Sequence, residues 1–338
     1  MSRVGHDKPL IAIVGDNQGT ELSDFVIPFG VLSEAAVADV LTVSTQSGPI
    51  RTFTDLGKPG FRIVTQASLD EFDAHHPEGA DYVVVPALHD TPAVVSWIAA
   101  QAQKGATLVS ICNGGMVVAE TGIMQGRRAT AHWSTESHRL EHHAEVRWTK
   151  NARYVVDGNW VSSAGVSAAV PTSLALVEAI AGHDRALAVA RQVGVTDWGT
   201  RHDSDAFQPR SLATAWPLVK VNFTNRWFHS EETFHIDASQ GIDEIALALT
   251  FDAYASTGRS KTVLVGSTAN PVQTLHGLTI LPDRAADELG EPNESLRLPD
   301  NQPSARALDS ALDSIAMHYG RATAYGVALV FEYPDFKE

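Results

Sequence analysis

Short apolar runs alternate along the chain with stretches in which apolar residues recur every three or four positions. Pro9 to Gly15 (PLIAIVG) is an apolar run ending at a glycine, the pattern of a buried parallel strand. Leu22, Phe25, Val26, Phe29 and Leu32 then fall at helical spacing and predict an amphipathic helix over Leu22 to Ala35, with Pro28 as a kink or a late start. Ala38 to Ser44, Tyr82 to Pro86 and Ala106 to Ile111 read as further buried strands, with a helix over Ala93 to Lys104. This alternation predicts a parallel sheet covered on both faces. Arg153 to Val156 and Trp160 to Ser163 flank the turn triplet Asp157-Gly158-Asn159 and predict a hairpin. A helix from about Ala168 to Ala181, ended by Gly182, closes this first unit.

The pattern then loosens. Residues 183 to 230 set His183, Trp198, His202, Trp216, Trp227 and His229 among polar residues, and only a short helix at Arg185 to Gln192 stands out. Residues 283 to 304, rich in acid, Pro and Asn, read as an exposed loop. A helix over Ala305 to Tyr319 and an apolar strand over Tyr325 to Glu332 end the chain. A constant offset of 222 residues aligns Gln18-Gly19 with Gln240-Gly241, Phe29 with Phe251, Val43 with Val265, Pro49 with Pro271, Thr52 with Thr274 and Leu56 with Leu278, without a gap. The later part therefore reads as a degenerate second copy of the opening strand-helix-strand unit. The expected organisation is a catalytic domain at 8–182, a connecting segment at 183–230 and a repeat-like α/β domain at 231–338. In this alignment Asp24 faces Ala246, and the second copy has no cysteine, so the chemistry is expected in the first domain.

Composition narrows the function. The 338 residues are 44% apolar and 19% charged, as in an ordinary globular protein. The formal net charge of −15 argues against nucleic-acid and anionic membrane partners. The first ten residues form no signal-like apolar stretch, and no run approaches the roughly 20 apolar residues of a membrane span, so a cytoplasmic location is expected. A single cysteine excludes an internal disulfide and a multi-cysteine metal site.

That cysteine, Cys112, follows an apolar strand and precedes Asn113-Gly114-Gly115 and a helix. Such an elbow holds a side chain out on a sharp bend and faces its thiolate toward the positive end of the helix, which predicts an activated nucleophile of lowered pKa. The segment SICNGGMVVAETGIMQGRRATAHW, residues 110–133, resembles the signature of the ThiJ/PfpI superfamily. With His132-Trp133 and SSAGVSAAV at 162–170, it is most similar to the branch of isocyanide hydratases and the sensor domains of AraC-type regulators. The resemblance covers roughly residues 8–195 and implies a flavodoxin-like three-layer α/β sandwich. No pair of DNA-reading helices follows it.

The resemblance also implies an acid before the first helix that contacts the cysteine. Here it is Asp24, four positions before Pro28, with Glu21 and Asp16 in reserve. A carboxylate beside a thiolate raises both pKa values, so the pair is useful only with Asp24 protonated or placed to shuttle a proton. Backbone donors for developing charge are expected around Ala87, Leu88, Asn113 and Gly114, with His89 as a polar wall. The family's usual Gly-Gly pair is replaced by Pro86-Ala87-Leu88-His89, so relatives' substrates do not carry over. His132 is read as mainly structural, and His138, His142 and His143 as a solvated helix face rather than a metal site.

These readings converge on a cofactor-independent hydratase or lyase for a small electrophile, an isonitrile being the best single guess. The alternatives are glyoxalase-like conversion of an α-oxoaldehyde, a redox or ligand sensor that uses the cysteine without turnover, and an idle scaffold. Either a homodimer or an intrachain pseudo-dimer is expected.

Overall fold

The computed structural model describes residues 8–288 and 294–337. Its larger sheet contains β1 (Leu10–Gly15), β2 (Asp39–Ser44), β3 (Ala67–Ser68), β4 (Tyr82–Val85), β5 (Thr107–Ser110), β6 (Tyr154–Asp157) and β7 (Trp160–Ser163), in the order β6-β7-β5-β4-β1-β2-β3. All pairings are parallel except β6 with β7, the hairpin around Gly158. Every residue of β1 is buried, because helices cover both faces of the sheet. These helices are α1 (Leu22–Ala35), α2 (Leu69–His75), α3 (Pro92–Gln103), α4 (Gly114–Glu120), α5 (Glu136–His142), α6 (Ala169–Ala181) and α7 (His183–Val193). This is the flavodoxin-like sandwich anticipated above.

Residues 183–230 hold more structure than their sequence suggests. After α7, a helical run passes from α8 (Leu212–Val219) through a π turn at Lys220–Thr224 into α9 (Asn225–Phe228). A second, fully parallel sheet follows, built from β8 (Glu232–Ala238), β9 (Ser260–Gly266), β10 (Arg284–Ala285) and β11 (Glu294–Ser295) in the order β10-β9-β8-β11. The 283–304 stretch read as a loop thus supplies two short strands, while 289–293 lie outside the described residues. Helix α10 (Glu244–Ala255) connects β8 to β9, and α11 (Ala307–Tyr319) and α12 (Arg321–Val330) close the chain. The strand expected over Tyr325 to Glu332 is a correction: these residues lie mostly in α12, whose buried Ala324, Val327 and Ala328 follow helical spacing. A short apolar run alone does not separate a buried helix from a buried strand.

The second unit retraces the first. The path β8-α10-β9 follows β1-α1-β2, and the parallel bridge of Ile242 with Thr274 stands where Thr20 pairs with Thr52, at the 222-residue offset. The likeness extends to the last helices. Gly182 (φ 86°, ψ 169°) joins α6 to α7, and Gly320 (φ 88°, ψ 152°) joins α11 to α12, each preceded by a helix of 13 residues. The second copy lacks the stretch that in the first forms β5, the cysteine elbow, β6 and β7.

The two copies face each other across an approximate two-fold axis. Hairpin strands Pro49–Ile50 and Arg62–Val64 join Val272–Gln273 and Thr279–Leu281 in one antiparallel sheet, with Ile63 opposite Ile280 at its centre. Helix α1 packs against α10 so closely that a Cβ on Gly30 would stand 2.5 Å from Ile245. His276 bridges the pair, with Nδ1 on Glu244 of α10 and Nε2 2.9 Å from Glu34 of α1. Among the described residues no helix is long and apolar enough to cross a membrane.

The Glu244 hydrogen bond first, and the Glu34 carboxylate after it, outweigh burial and raise His276 to about 9 from 6.5. A histidine raised on folding gives stability that is complete below its unfolded value and lost as pH rises through the folded one. The melting temperature is therefore expected to fall between pH 6.5 and about 9, and His276→Gln to remove that part of the slope in a pH series of thermal melts.

Candidate functional site

Strand β5 ends beside Val85, whose carbonyl accepts the Ile111 amide at 2.9 Å, and the chain then turns sharply. Cys112 sits at φ 53°, a left-handed conformation that costs a non-glycine residue on the order of 1–2 kcal/mol. Its amide donates to Ser163 Oγ at 3.2 Å, and Gly114 donates to Ile111 O at 2.8 Å, closing the bend. Gly114 is required: a Cβ there would lie 2.1 Å from the Val85 carbonyl. The cysteine is 1% exposed.

Carboxyl groups surround it. Glu21 caps α1 by accepting the Asp24 amide at 2.6 Å, and its own amide donates to Ala87 O at 2.7 Å. Asp24 Oδ2 accepts the Ala87 amide at 3.1 Å. Asp252, from α10 of the second copy, accepts from Ser23 Oγ at 2.7 Å, from the Asp55 amide at 3.2 Å and from Ser256 Oγ at 3.3 Å. Glu21 Oε1, Asp24 Oδ1 and Asp55 Oδ2 are buried with no donor among the neighbouring groups. Protons on the carboxyl groups themselves are the remaining source of hydrogen bonds.

The electrostatics follow from this crowding. Burial, then the charges of Asp24, Asp252 and Asp55, push Glu21 well above the usual carboxylate range. Burial raises Asp24 to about 7, against the Ala87 hydrogen bond and with the help of Asp252. Asp55 is raised by burial and by Asp252, Asp24 and Glu332. Burial also dominates at Cys112, and Asp24, Asp55 and Glu21 add to it, so the thiol titrates well above its ordinary value despite a hydrogen bond from the Asn113 amide. The expectation of a lowered thiol pKa is thereby corrected. The positive end of a seven-residue helix does not offset desolvation plus three acids.

The expected oxyanion donors are partly occupied. The Ala87 amide is held by Asp24, the Gly114 amide by Ile111 and the Asn113 amide by the cysteine sulfur. Leu88 opposes Thr20 in a bridge whose flanking bonds run from Glu21 to Ala87 and from His89 to Gly19, so its amide stands outside that pairing. His89 is exposed, its ring packed over Gly19 and 6.1 Å from the Phe53 ring, on the rim of an outer cleft. Asp16 is engaged elsewhere, accepting from Thr91 Oγ1 at 2.6 Å and from the Gln18 amide at 2.8 Å. His132 is buried, with Nε2 2.7 Å from Val330 O and Nδ1 2.7 Å from Ser134 Oγ, and burial lowers its pKa. His138 and His142 lie exposed with their rings 4.3 Å apart, whereas His143, expected on the same solvated face, is buried just past the helix beside Glu120 and Glu145; among the described residues no group of three or more His, Cys, Asp or Glu side chains is arranged to hold a metal ion.

A second buried network escaped the sequence reading. Glu332, at φ 54° just beyond α12, accepts from His202 Nε2 at 2.5 Å, from the Trp133 amide at 2.9 Å and from Ser204 Oγ at 3.3 Å. Burial alone would raise this carboxyl, but the His202 hydrogen bond and the charges of His132 and His202 bring it below the usual range. The chain's end is thus tied to the His132-Trp133 segment beside the elbow. His202 also borders a cavity of about 220 Å³ on the pseudo-two-fold, where Ile27 of α1 and Leu249 of α10 lie at equivalent positions. Asp252 had a readable signal: with Glu244 it is one of two acids in EIALALTFDAYA, a helix that carries no basic residue and is buried throughout.

Alkylation of Cys112 by iodoacetamide, read by intact mass, is expected to be slow at neutral pH with an apparent pKa above about 8.5. Asp24→Asn is expected to lower that value and speed labelling at pH 7, because it removes the strongest of the charges that act on the sulfur.

The comparisons with known proteins agree with this geometry. The DJ-1/PfpI family pattern matches residues 10–179, half of the chain. The chain is 30% identical over 171 residues to the isonitrile hydratase of Pseudomonas putida, covering 50% of this chain and 72% of that protein. It is 32% identical over 118 residues to the HTH-type transcriptional regulator CdhR of Pseudomonas aeruginosa, a match spanning 35% of each protein. Deglycase PH1704 of Pyrococcus horikoshii is 29% identical over 146 residues, covering 41% of this chain and 81% of that one. With its parallel sheet, strained cysteine elbow and matched signature, this chain belongs to the DJ-1/PfpI family.

Proposed function

We propose that the chain is a cysteine-dependent, cofactor-independent hydratase for a small electrophile of the isonitrile type. The observation that carries this reading is that Cys112, buried on its strained elbow, lies within the field of the buried Asp24 carboxyl, which burial raises to about 7. An isonitrile carbon accepts a nucleophile and a proton at the same atom, so the step needs both a sulfur nucleophile and a proton donor, the roles given to Cys112 and Asp24. Sγ forms the S–C bond while the thiol proton, passed through Asp24, goes to that carbon and leaves a thioimidate. Water then adds to the carbon, the nitrogen takes a proton, and sulfur departs as the thiol, giving an N-substituted formamide. The 30% identity to an isonitrile hydratase supports the substrate class.

A redox sensor requires an exposed thiolate, because oxidation follows thiolate character and access. The burial and raised pKa of Cys112 weigh against that alternative. Conversion of an α-oxoaldehyde remains the competing enzyme reading, supported by the deglycase relative.

Incubation with an aryl isonitrile, followed by NMR, is expected to yield the formamide. Cys112→Ser is expected to abolish turnover, and Asp24→Asn to cut it about 10²- to 10⁴-fold. The rate should fall as pH rises through about 7, where Asp24 loses its proton. Consumption of methylglyoxal without any formamide formation would overturn the assignment.

A further inference from the structure

The helical run 212–228 carries an apolar face that nothing among the described residues covers. Leu212 is 88% exposed, Trp216 53%, Phe223 61%, Trp227 76% and Phe228 80%, with Val219 at 41%. Positions 212, 216, 219, 223 and 227 are spaced by three or four, the seam of a helix that pairs with another helix. The π turn at Lys220–Thr224 lies within this run.

The run is firmly seated on its other side. Pro217, Leu218, Val221 and Asn225 are buried. Gly326 of α12 admits the Pro217 carbonyl, which would lie 2.6 Å from a Cβ there, and Gly258 admits the Val221 carbonyl in the same way at 2.2 Å. Asn225 Nδ2 donates to Thr257 O at 2.8 Å. A helix held this closely presents its outer face as a fixed surface.

We infer that this face pairs with the same face of a second copy of the chain, two runs lying antiparallel about a two-fold near Val219. Each fully buried aromatic covers roughly 150–250 Å², so four that are more than half exposed, with Leu212 and Val219, offer roughly 600–700 Å², close to the share of one partner in a stable interface. A two-fold that crosses the run near its middle makes the two helices antiparallel. Residues 206–230 contain Arg210, Lys220 and Arg226 and no acid, while Asp203 and Asp205 precede them and Glu231 and Glu232 follow. Arg210 already pairs with Asp205, Glu231 with Lys58, and Glu232 with Arg259 and His318, so these flanking charges are satisfied within the chain and the contact is left to the apolar side chains. An anionic lipid surface is the poorer occupant, because the whole chain carries −15. Helix α1 is already covered by α10, so this contact is separate from the intrachain one.

Light scattering on the full chain at concentrations up to about 100 µM is expected to give twice the 36.3 kDa chain mass. The double variant Phe223→Glu/Trp227→Glu is expected to weaken association at least about tenfold with unchanged circular dichroism and melting temperature, since both side chains face solvent in the monomer. Leu212→Glu, at the other end of the seam, should have the same effect if the double variant misfolds. A native chain that stays at 36.3 kDa, or a dimer untouched by both variants, would overturn the inference. So would a monomer that sediments with phosphatidylglycerol vesicles and loses that binding in the double variant.

Discussion

Four carboxyl groups buried where two helices pack, perturbed chiefly by burial and in part by one another's charges, are the constraint on which the site depends. An isolated buried carboxylate is costly enough that it binds a proton instead, and neighbouring carboxyls share protons as one coupled system. Glu21 and Asp24 come from α1, Asp252 from α10 and Asp55 from the loop whose amide Asp252 holds. The same field reaches Cys112 and keeps its proton in place. The proposed chemistry therefore relies on a thiol and a proton relay held in one buried cluster.

The second copy gives this arrangement its partner within one chain. It keeps the strands, helices and hairpin that build the two-fold interface, and lacks the elbow that would make a second nucleophile. Its contribution to the site is Asp252 and the surface that seals α1 from water. The chain end adds a further seal through Glu332, which joins His202 to the Trp133 amide. A closed cysteine, 1% exposed, follows from these contacts.

Much of the first unit was legible, because buried parallel strands leave apolar runs and the hairpin left its Asp-Gly-Asn turn. The elbow was legible for the same local reason: strand, cysteine, two glycines, helix. The repeat showed at its constant offset, yet the alignment drew attention to Ala246 opposite Asp24, whereas the packing of α1 on α10 brings in Asp252 about one and two-thirds turns later. Away from its axis a two-fold brings non-equivalent residues together. The thiol pKa was misread because helix and elbow are local features, while desolvation and the acids of other elements are not. Tyr325 to Glu332 was misread because burial on all sides erases the difference between strand and helix patterns. The 212–228 run was illegible because its apolar residues face outward, against the assumption that apolar periodicity marks the buried side.

The shared proton is the central claim, and the most direct test is a ¹³C NMR titration of the Asp24 carboxyl, assigned through Asp24→Asn, between pH 4 and 9. The account predicts a midpoint of about 7 that moves down when Asp252 is replaced by Asn. A midpoint near the ordinary aspartate value of about 3.9, unmoved by that replacement, would contradict it.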